Sequence, residues 1–208
     1  MKQSYKIFIN DVVVILAEVK EEFDLPKIKG RMVVYNVNKT DLLEKIITSI
    51  EIGSIKTNVL LITKDLTWLK NNFFSSFKII IAGGGLVINN KNQYLLMHRK
   101  GKWDLPKGKI EKNEDIVAGA IREVEEETNV KIKLVKNKIG LTYHTYNLGN
   151  KWILKETHWF YMLGDEKSKL VPQKEEGIDE VIWCSEKEAK LNLKNSYPSI
   201  KDVFKFDK

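Results

Sequence analysis

Hydrophobic and polar positions divide the chain into short stretches of two periods. Residues 5–10 and 12–18 are rich in β-branched and aromatic side chains, and Asn10-Asp11 between them suits a tight turn. Residues 31–37 predict another strand. The period then changes: Leu42, Leu43, Ile46 and Ile47 share one face of a helix over 41–50, with Asn38 or Thr40 as its cap. Residues 58–63 read as a strand and 65–72 as a short helix, after which Phe73, Phe74 and Phe77 anchor the chain.

Residues 78–88 and 94–99 predict two strands joined through 89–92. Gly83, Gly84 and Gly85 lie inside the first, which implies a bulge or a close backbone approach. Residues 101–113 are loop-like, rich in Gly, Pro and Lys. Residues 115–128 predict a strong helix. Strands are expected at 131–135, 139–146, 157–163 and 180–184, then helices from Glu186 and from near Ser199. No internal repeat or low-complexity linker interrupts the chain. The softest point, Ser75-Ser76-Phe77, divides a small α/β region, 1–77, from a second region, 78–208.

At 208 residues, with 43% hydrophobic and 30% charged side chains, the chain can bury a core and is not composed like a disordered one. No apolar run reaches the roughly 18 residues of a membrane span. The N-terminus lacks the long apolar region and cleavage site of an export signal. Cys184 is the single cysteine, so no internal disulfide forms. A buried thiol among Val181, Ile182 and Trp183 suits a reducing, cytoplasmic setting.

The net charge of +7 points to an anionic partner. The excess is spread along the chain and mixed with acids, which argues against a nucleic-acid-binding stripe. One cluster stands out: Arg99, Lys100, Lys102, Lys107, Lys109 and Lys112 are opposed there only by Asp104 and Glu111.

That basic stretch leads into the helix that carries chemistry. Glu123, Glu126 and Glu127 lie at i, i+3 and i+4 and share a face, apart from the apolar face of Val117, Ala120, Ile121 and Val124. Three like charges repel, and they sit at the unfavourable end of the helix dipole. Arg122 offsets one. A hard divalent cation, Mg2+ or Mn2+, would offset the rest, because it prefers carboxylate oxygens. A plain solvated acidic face is the alternative. Other schemes are weaker: His98, His144 and His158 have no metal spacing, and Cys184 has no His or CxxC partner.

The upstream residues favour the metal. Trp103-Asp-Leu-Pro-Lys-Gly108 leads into the helix. Gly108, Glu114, Arg122, Glu123, Val124, Glu126, Glu127 and Val130 then stand in register with a glycine, a glutamate six on, and an Arg-Glu-aliphatic-x-Glu-Glu run. This pattern resembles the Nudix box. Asn129 replaces the last glycine of the box. That glycine ends a helix in the left-handed region, where Asn is the next best residue.

The resemblance covers residues 78–208. It implies an α/β/α sandwich around a mixed sheet, preceded here by the small α/β region. It also implies an Mg2+- or Mn2+-dependent hydrolase that cleaves the pyrophosphate bond of a nucleoside diphosphate linked to another group. By that resemblance Glu123, Glu126, Glu127 and the Lys107 carbonyl hold metal. Arg122 orients a glutamate, and Gly108 and Glu114 support the loop. Glu126 or Glu127, or a late-loop residue such as Glu175 or Glu176, takes the proton of the attacking water. Arg99, Lys107 and Lys109 line the substrate phosphates.

The loop is similar to those of enzymes acting on dinucleoside and diphosphoinositol polyphosphates. Members acting on dinucleoside polyphosphates carry a tyrosine about 16 residues past the box, where Tyr146 stands. It suits base stacking, and equally a sheet-packing role. The proline that marks the ADP-ribose group would fall at Thr145. A non-catalytic nucleotide-sensing module is the competing reading, and the three intact glutamates speak against it. The expected partner is a phosphate-rich small molecule, with no membrane and no nucleic acid. For residues 1–77, covering the site, adding edge strands and building a homodimer all stay open.

Overall fold

The computed structural model describes residues 3–19, 31–149 and 151–205. The first two runs pair as antiparallel strands, β1 (Ser4–Ile9) and β2 (Val12–Glu18). In their turn Asn10 has φ 52°, a left-handed conformation that Asn tolerates better than most residues. The chain continues through β3 (Met32–Asn36), helix α1 (Thr40–Glu51) and β4 (Asn58–Thr63). Strand β4 lies parallel to both β2 and β3, giving the order β1-β2-β4-β3. The helix between β3 and β4 is the kind of crossover that parallel neighbours need.

Helix α1 buries Leu43, Ile46, Ile47 and Ile50, while Leu42 is exposed. The apolar stripe therefore runs i, i+3, i+4, i+7 from Leu43, and Leu42 lies off its edge. Lys39 occupies the cap position without a side-chain bond, so neither Asn38 nor Thr40 caps this helix. Helix α2 (Leu66–Ser75) is capped by Asp65, whose carboxylate accepts the Trp68 amide at 2.9 Å. Phe74 meets Tyr5 and Tyr143 edge-on, and Phe73 lies against Phe77. These elements form one compact unit: the described residues up to Ile79 together with Tyr143–Lys155.

The second unit holds Ile80–Thr142 and the described residues from Glu156 onward. It carries β5 (Lys78–Ile88) from Ile80 on, β6 (Tyr94–Arg99), β7 (Lys102–Asp104), β8 (Lys107–Lys109), α3 (Ile116–Thr128), β9 (Ile132–Leu148) as far as Thr142, β10 (Lys151–Gly164) from Glu156 on, β11 (Ile178–Cys184), α4 (Glu186–Asn192) and α5 (Pro198–Val203). The sheet runs β11-β6-β5-β10-β9, with β7 beside β6 and β8 beside β5.

Side chains alternate between its two faces, as a strand requires. Val87, Leu95, Met97, Phe160 and Met162 pack with Ala120 and Val124 of α3. Their neighbours Leu86, Leu96 and Trp159 pack with Ala189, Leu193, Ile200 and Val203 from the C-terminal helical segments. Helices thus cover both faces of a mixed sheet, the expected α/β/α layering. Cys184 is buried, its thiol pushed up to about 11 by desolvation. No helix among the described residues is long and apolar enough to cross a membrane.

Three elements differ from the sequence expectation. The stretch 101–113 is not all loop, since β7 and β8 lie within it; three-residue strands are too short to show a period. Residues 131–135 and 139–146 belong to one strand, β9, because the exposed Lys136, Asn137 and Lys138 hide its continuity. Strand β10 starts at Lys151 rather than at 157, and its first residues mix charges with Trp152, Ile153 and Leu154.

Candidate active site

The site is built around α3. Asp115 starts this helix by accepting the amides of Val117 and Ala118. Asn129 ends it at φ 59°, in the left-handed region, in keeping with its place at the glycine position of the box. Between them the helix buries Ala120 and Val124 against the sheet, which fixes the direction of the glutamates.

Arg122 gathers the acids. Its Nε and Nη2 donate to the two oxygens of Glu114, at 2.8 and 3.0 Å. Its Nη1 donates to Glu123 at 2.9 Å and to Glu126 at 2.8 Å, and Nη2 also reaches the Lys109 carbonyl at 3.1 Å. Charge-assisted bonds of this forked kind are strong and directional. They hold the Glu114 carboxyl at about 2, well below its usual range, with help from the Glu111 amide.

Glu127 points the other way, into the protein, and is 2% exposed. One of its oxygens accepts the Lys107 amide at 2.7 Å, and the other lies 3.4 Å from Arg99 Nη1. Burial raises its pKa to about 7, against the opposing pull of Lys107 and Arg99. Arg99 also meets Glu176 at 2.6 Å. Glu176 closes a single 3-10 turn, Lys174–Glu176, that ends at Gly177 with φ 73°. Glu175 is exposed on the same turn.

Glycines let the backbone come close. Strands β5 and β8 pair Gly84 with Lys107 and Gly83 with Gly108. A Cβ on Gly84 would lie 2.6 Å from the Lys107 Cβ, and one on Gly108 would lie 1.7 Å from Glu123 Oε2. Glu123 therefore rests directly over the Gly108 backbone, and any side chain at 108 would push its carboxylate aside.

The structure thus joins Gly108, Glu114, Arg122, Glu123 and Glu126 in one set, and Lys107, Glu127, Arg99 and Glu176 in another. The Lys107 ammonium is buried and bonded to Asp104 Oδ2 at 2.6 Å, and its amide serves Glu127. The Lys109 side chain is exposed, and its carbonyl is the part that meets Arg122. Tyr146 lies in the other unit, half-buried, its ring 6.0 Å from that of His144. Sequence reasoning misses Asp104, whose only signal is that of an acid among the lysines of the loop.

Among the described residues no three His, Cys, Asp or Glu side chains are already gathered as a cation cage. The donors nonetheless suit a hard cation. Glu123, Glu126 and Glu127 offer only oxygens. Glu127 is a buried carboxylate whose charge its neighbours do not fully offset.

The NUDIX domain profile matches residues 80–205. An RNA pyrophosphohydrolase of Pelagibacter ubique (strain HTCC1062) is 32% identical over 116 residues, which cover 49% of this chain and 73% of that protein. Nudix hydrolase 6 of Arabidopsis thaliana is 42% identical over 64 residues, covering 27% of this chain and 23% of that protein. Of solved structures, a MutT protein from Methanosarcina mazei Go1 aligns at a TM-score of 0.47 and 28% identity, over 63% of this chain and 94% of that one. A Nudix hydrolase from Nitrosomonas europaea aligns at 0.48 and 22%, over 62% and 88%. With the profile spanning more than half its length and the box residues joined around α3, the chain belongs to the Nudix family of hydrolases.

Proposed function

We propose that this chain is a divalent-metal-dependent pyrophosphohydrolase acting on a nucleoside polyphosphate, with Glu123, Glu126, Glu127 and the Lys107 carbonyl holding Mg2+ or Mn2+. The observation that carries this reading is the pairing of a buried, under-compensated Glu127 with two further glutamates that Arg122 holds on the same helix. A cation bound there neutralises phosphate charge and makes water more acidic.

The chain's own groups do the rest. Arg122 orients Glu123 and Glu126, and Glu114 orients Arg122 in turn. Of the three box glutamates Glu126 is the most open to water, with half its side chain exposed, so among them it is the one placed to take a proton. Glu127 is closed to solvent and bonded to the Lys107 amide, which suits a fixed ligand better than a base. Arg99 can turn one edge of its guanidinium to a phosphate by releasing Glu176, its exposed partner. The exposed Lys109 side chain can add a second cation. In this reading residues 78–208 are the catalytic region, and their segment Tyr143–Lys155 packs within the first unit.

Two substrates share the required chemistry. The first is a free mono- or dinucleoside polyphosphate. The second is the 5′-polyphosphorylated end of an RNA, favoured by the name of the Pelagibacter relative. A panel with Mg2+ separates them: diadenosine polyphosphates, nucleoside triphosphates, ADP-ribose and a 5′-triphosphorylated oligoribonucleotide. The expected result is cleavage of a polyphosphate, with the Glu126→Gln variant slower by orders of magnitude. Equal turnover by that variant would contradict the assignment of Glu126. No turnover of any compound would favour a nucleotide-sensing module instead.

A further inference from the structure

We propose that Asp104 is a positioning residue of the active site: its ion pair with Lys107 fixes the Lys107–Gly108 main chain under Glu127 and Glu123. This rests on the metal-site reading above. Asp104 and Lys107 are 3% and 7% exposed, the only close pair of opposite charges buried to that degree among the described ion pairs. The ammonium lies 2.6 Å from Asp104 Oδ2 and 3.3 Å from the Leu105 carbonyl. Asp104 Oδ1 accepts the Leu105 amide at 2.8 Å. The segment Asp104-Leu-Pro-Lys107 is therefore closed on itself by side chains.

Its two ends are held by the sheet. Asp104 stands opposite Met97 of β6, and Lys107 opposite Gly84 of β5. The Pro106 carbonyl accepts the Gly85 amide at 3.1 Å. The segment delivers two things. The Lys107 amide goes to Glu127, and the bare Gly108 backbone lies under Glu123. Asp104 bears on the loop through Lys107, and its charge also reaches Glu127.

A buried ammonium persists only when paired and hydrogen-bonded, and the same holds for its carboxylate. If Lys107 swung out to a phosphate, Asp104 would be left buried and unpaired. The pair thus assigns the Lys107 side chain to holding the loop and its main chain to the site. Partners one step behind the ligands of a metal commonly carry a 10–100-fold effect on its affinity.

The test is Mn2+ binding to the folded, substrate-free protein, read by electron paramagnetic resonance, alongside kcat and KM. The proteins are the wild type, Asp104→Asn, Lys107→Met and the charge-neutral double variant. The expected result is a Mn2+ affinity about tenfold or more weaker in each variant, with kcat lowered and KM little changed. The double variant should be no worse than either single one, because the two residues act as a unit. If a single variant carrying a lone buried charge fails to fold, the double variant must still show the loss. Wild-type Mn2+ affinity in Asp104→Asn or in the double variant would overturn the proposal. So would a Lys107→Met variant that only raises KM, since that marks a phosphate ligand. A wild type that binds no Mn2+ would instead sink the metal reading beneath it.

Discussion

Glu127→Gln is expected to lower turnover by about a hundred- to ten-thousandfold, while making the metal-free protein more stable at neutral pH. Both effects come from one carboxylate buried where its charge is poorly offset. In the folded protein its pKa is about 7, against 4.5 for the ordinary group. Below 4.5 the group is protonated in both states and its contribution is at its most favourable. As pH rises through 7, the unfolded chain ionises first and the folded one last, so that stability is lost. The whole loss is about 3 kcal/mol, because each tenfold change in proton affinity is worth roughly 1.4 kcal/mol.

Gln keeps an oxygen for the Lys107 amide and has no charge to bury, so this pH slope should vanish in the variant. Urea midpoints between pH 4 and 8 in EDTA read it directly. A wild type that matches or exceeds the variant at pH 8 would contradict the assignment. Adding Mn2+ should stabilise the wild type more than the variant, because a ligand stabilises a protein according to how tightly its folded state binds.

The second large effect is expected at Arg122. This guanidinium holds Glu114 by two bonds and Glu123 and Glu126 by one each. Arg122→Leu removes the one guanidinium that binds these three carboxylates together. Turnover should fall by about ten- to a hundredfold, by analogy with groups that orient metal ligands. Arg122→Lys should rescue little, because a single ammonium cannot serve the fork to Glu114 and the other two acids at once.

The acid limb should move as well. Arg122 keeps Glu114 ionised down to about pH 2. That contribution to stability is present above 4.5 and disappears as pH falls toward 2. Without the arginine it is absent throughout, so acid unfolding should begin at a higher pH. A lysine variant with wild-type turnover and an unmoved acid limb would show that Arg122 is a surface charge only.

The chemistry-bearing helix was legible because its signals are local. Asp115, the apolar stripe ending at Val124, and Asn129 define its start, face and end within fifteen residues. The glutamate face follows from that periodicity alone, and the register with Gly108 and Glu114 named the family. What could not be read depends on contacts far apart in sequence. Arg99 and Glu176 meet across 77 positions, and nothing near either residue announces it.

Lys107 looks like a loop lysine available to phosphate. It is buried because β7 and β8 pair with β6 and β5, an arrangement invisible to local pattern. The same holds for β10, whose first residues are charged and irregular, yet extend the strand. Leu42 fails for a different reason: it borders the apolar stripe of α1, and only packing decides which border residue is buried.

The central claim is that the α3 carboxylates hold the cation on which hydrolysis depends. Its most direct test is the rate of substrate cleavage against free Mg2+ for the wild type and for Glu123→Gln, Glu126→Gln and Glu127→Gln. The expected result is no cleavage in EDTA, a saturable rise with Mg2+ in the wild type, and in each variant a curve lowered or displaced to higher Mg2+. Equal cleavage in EDTA and in Mg2+, or wild-type curves in all three variants, would contradict it.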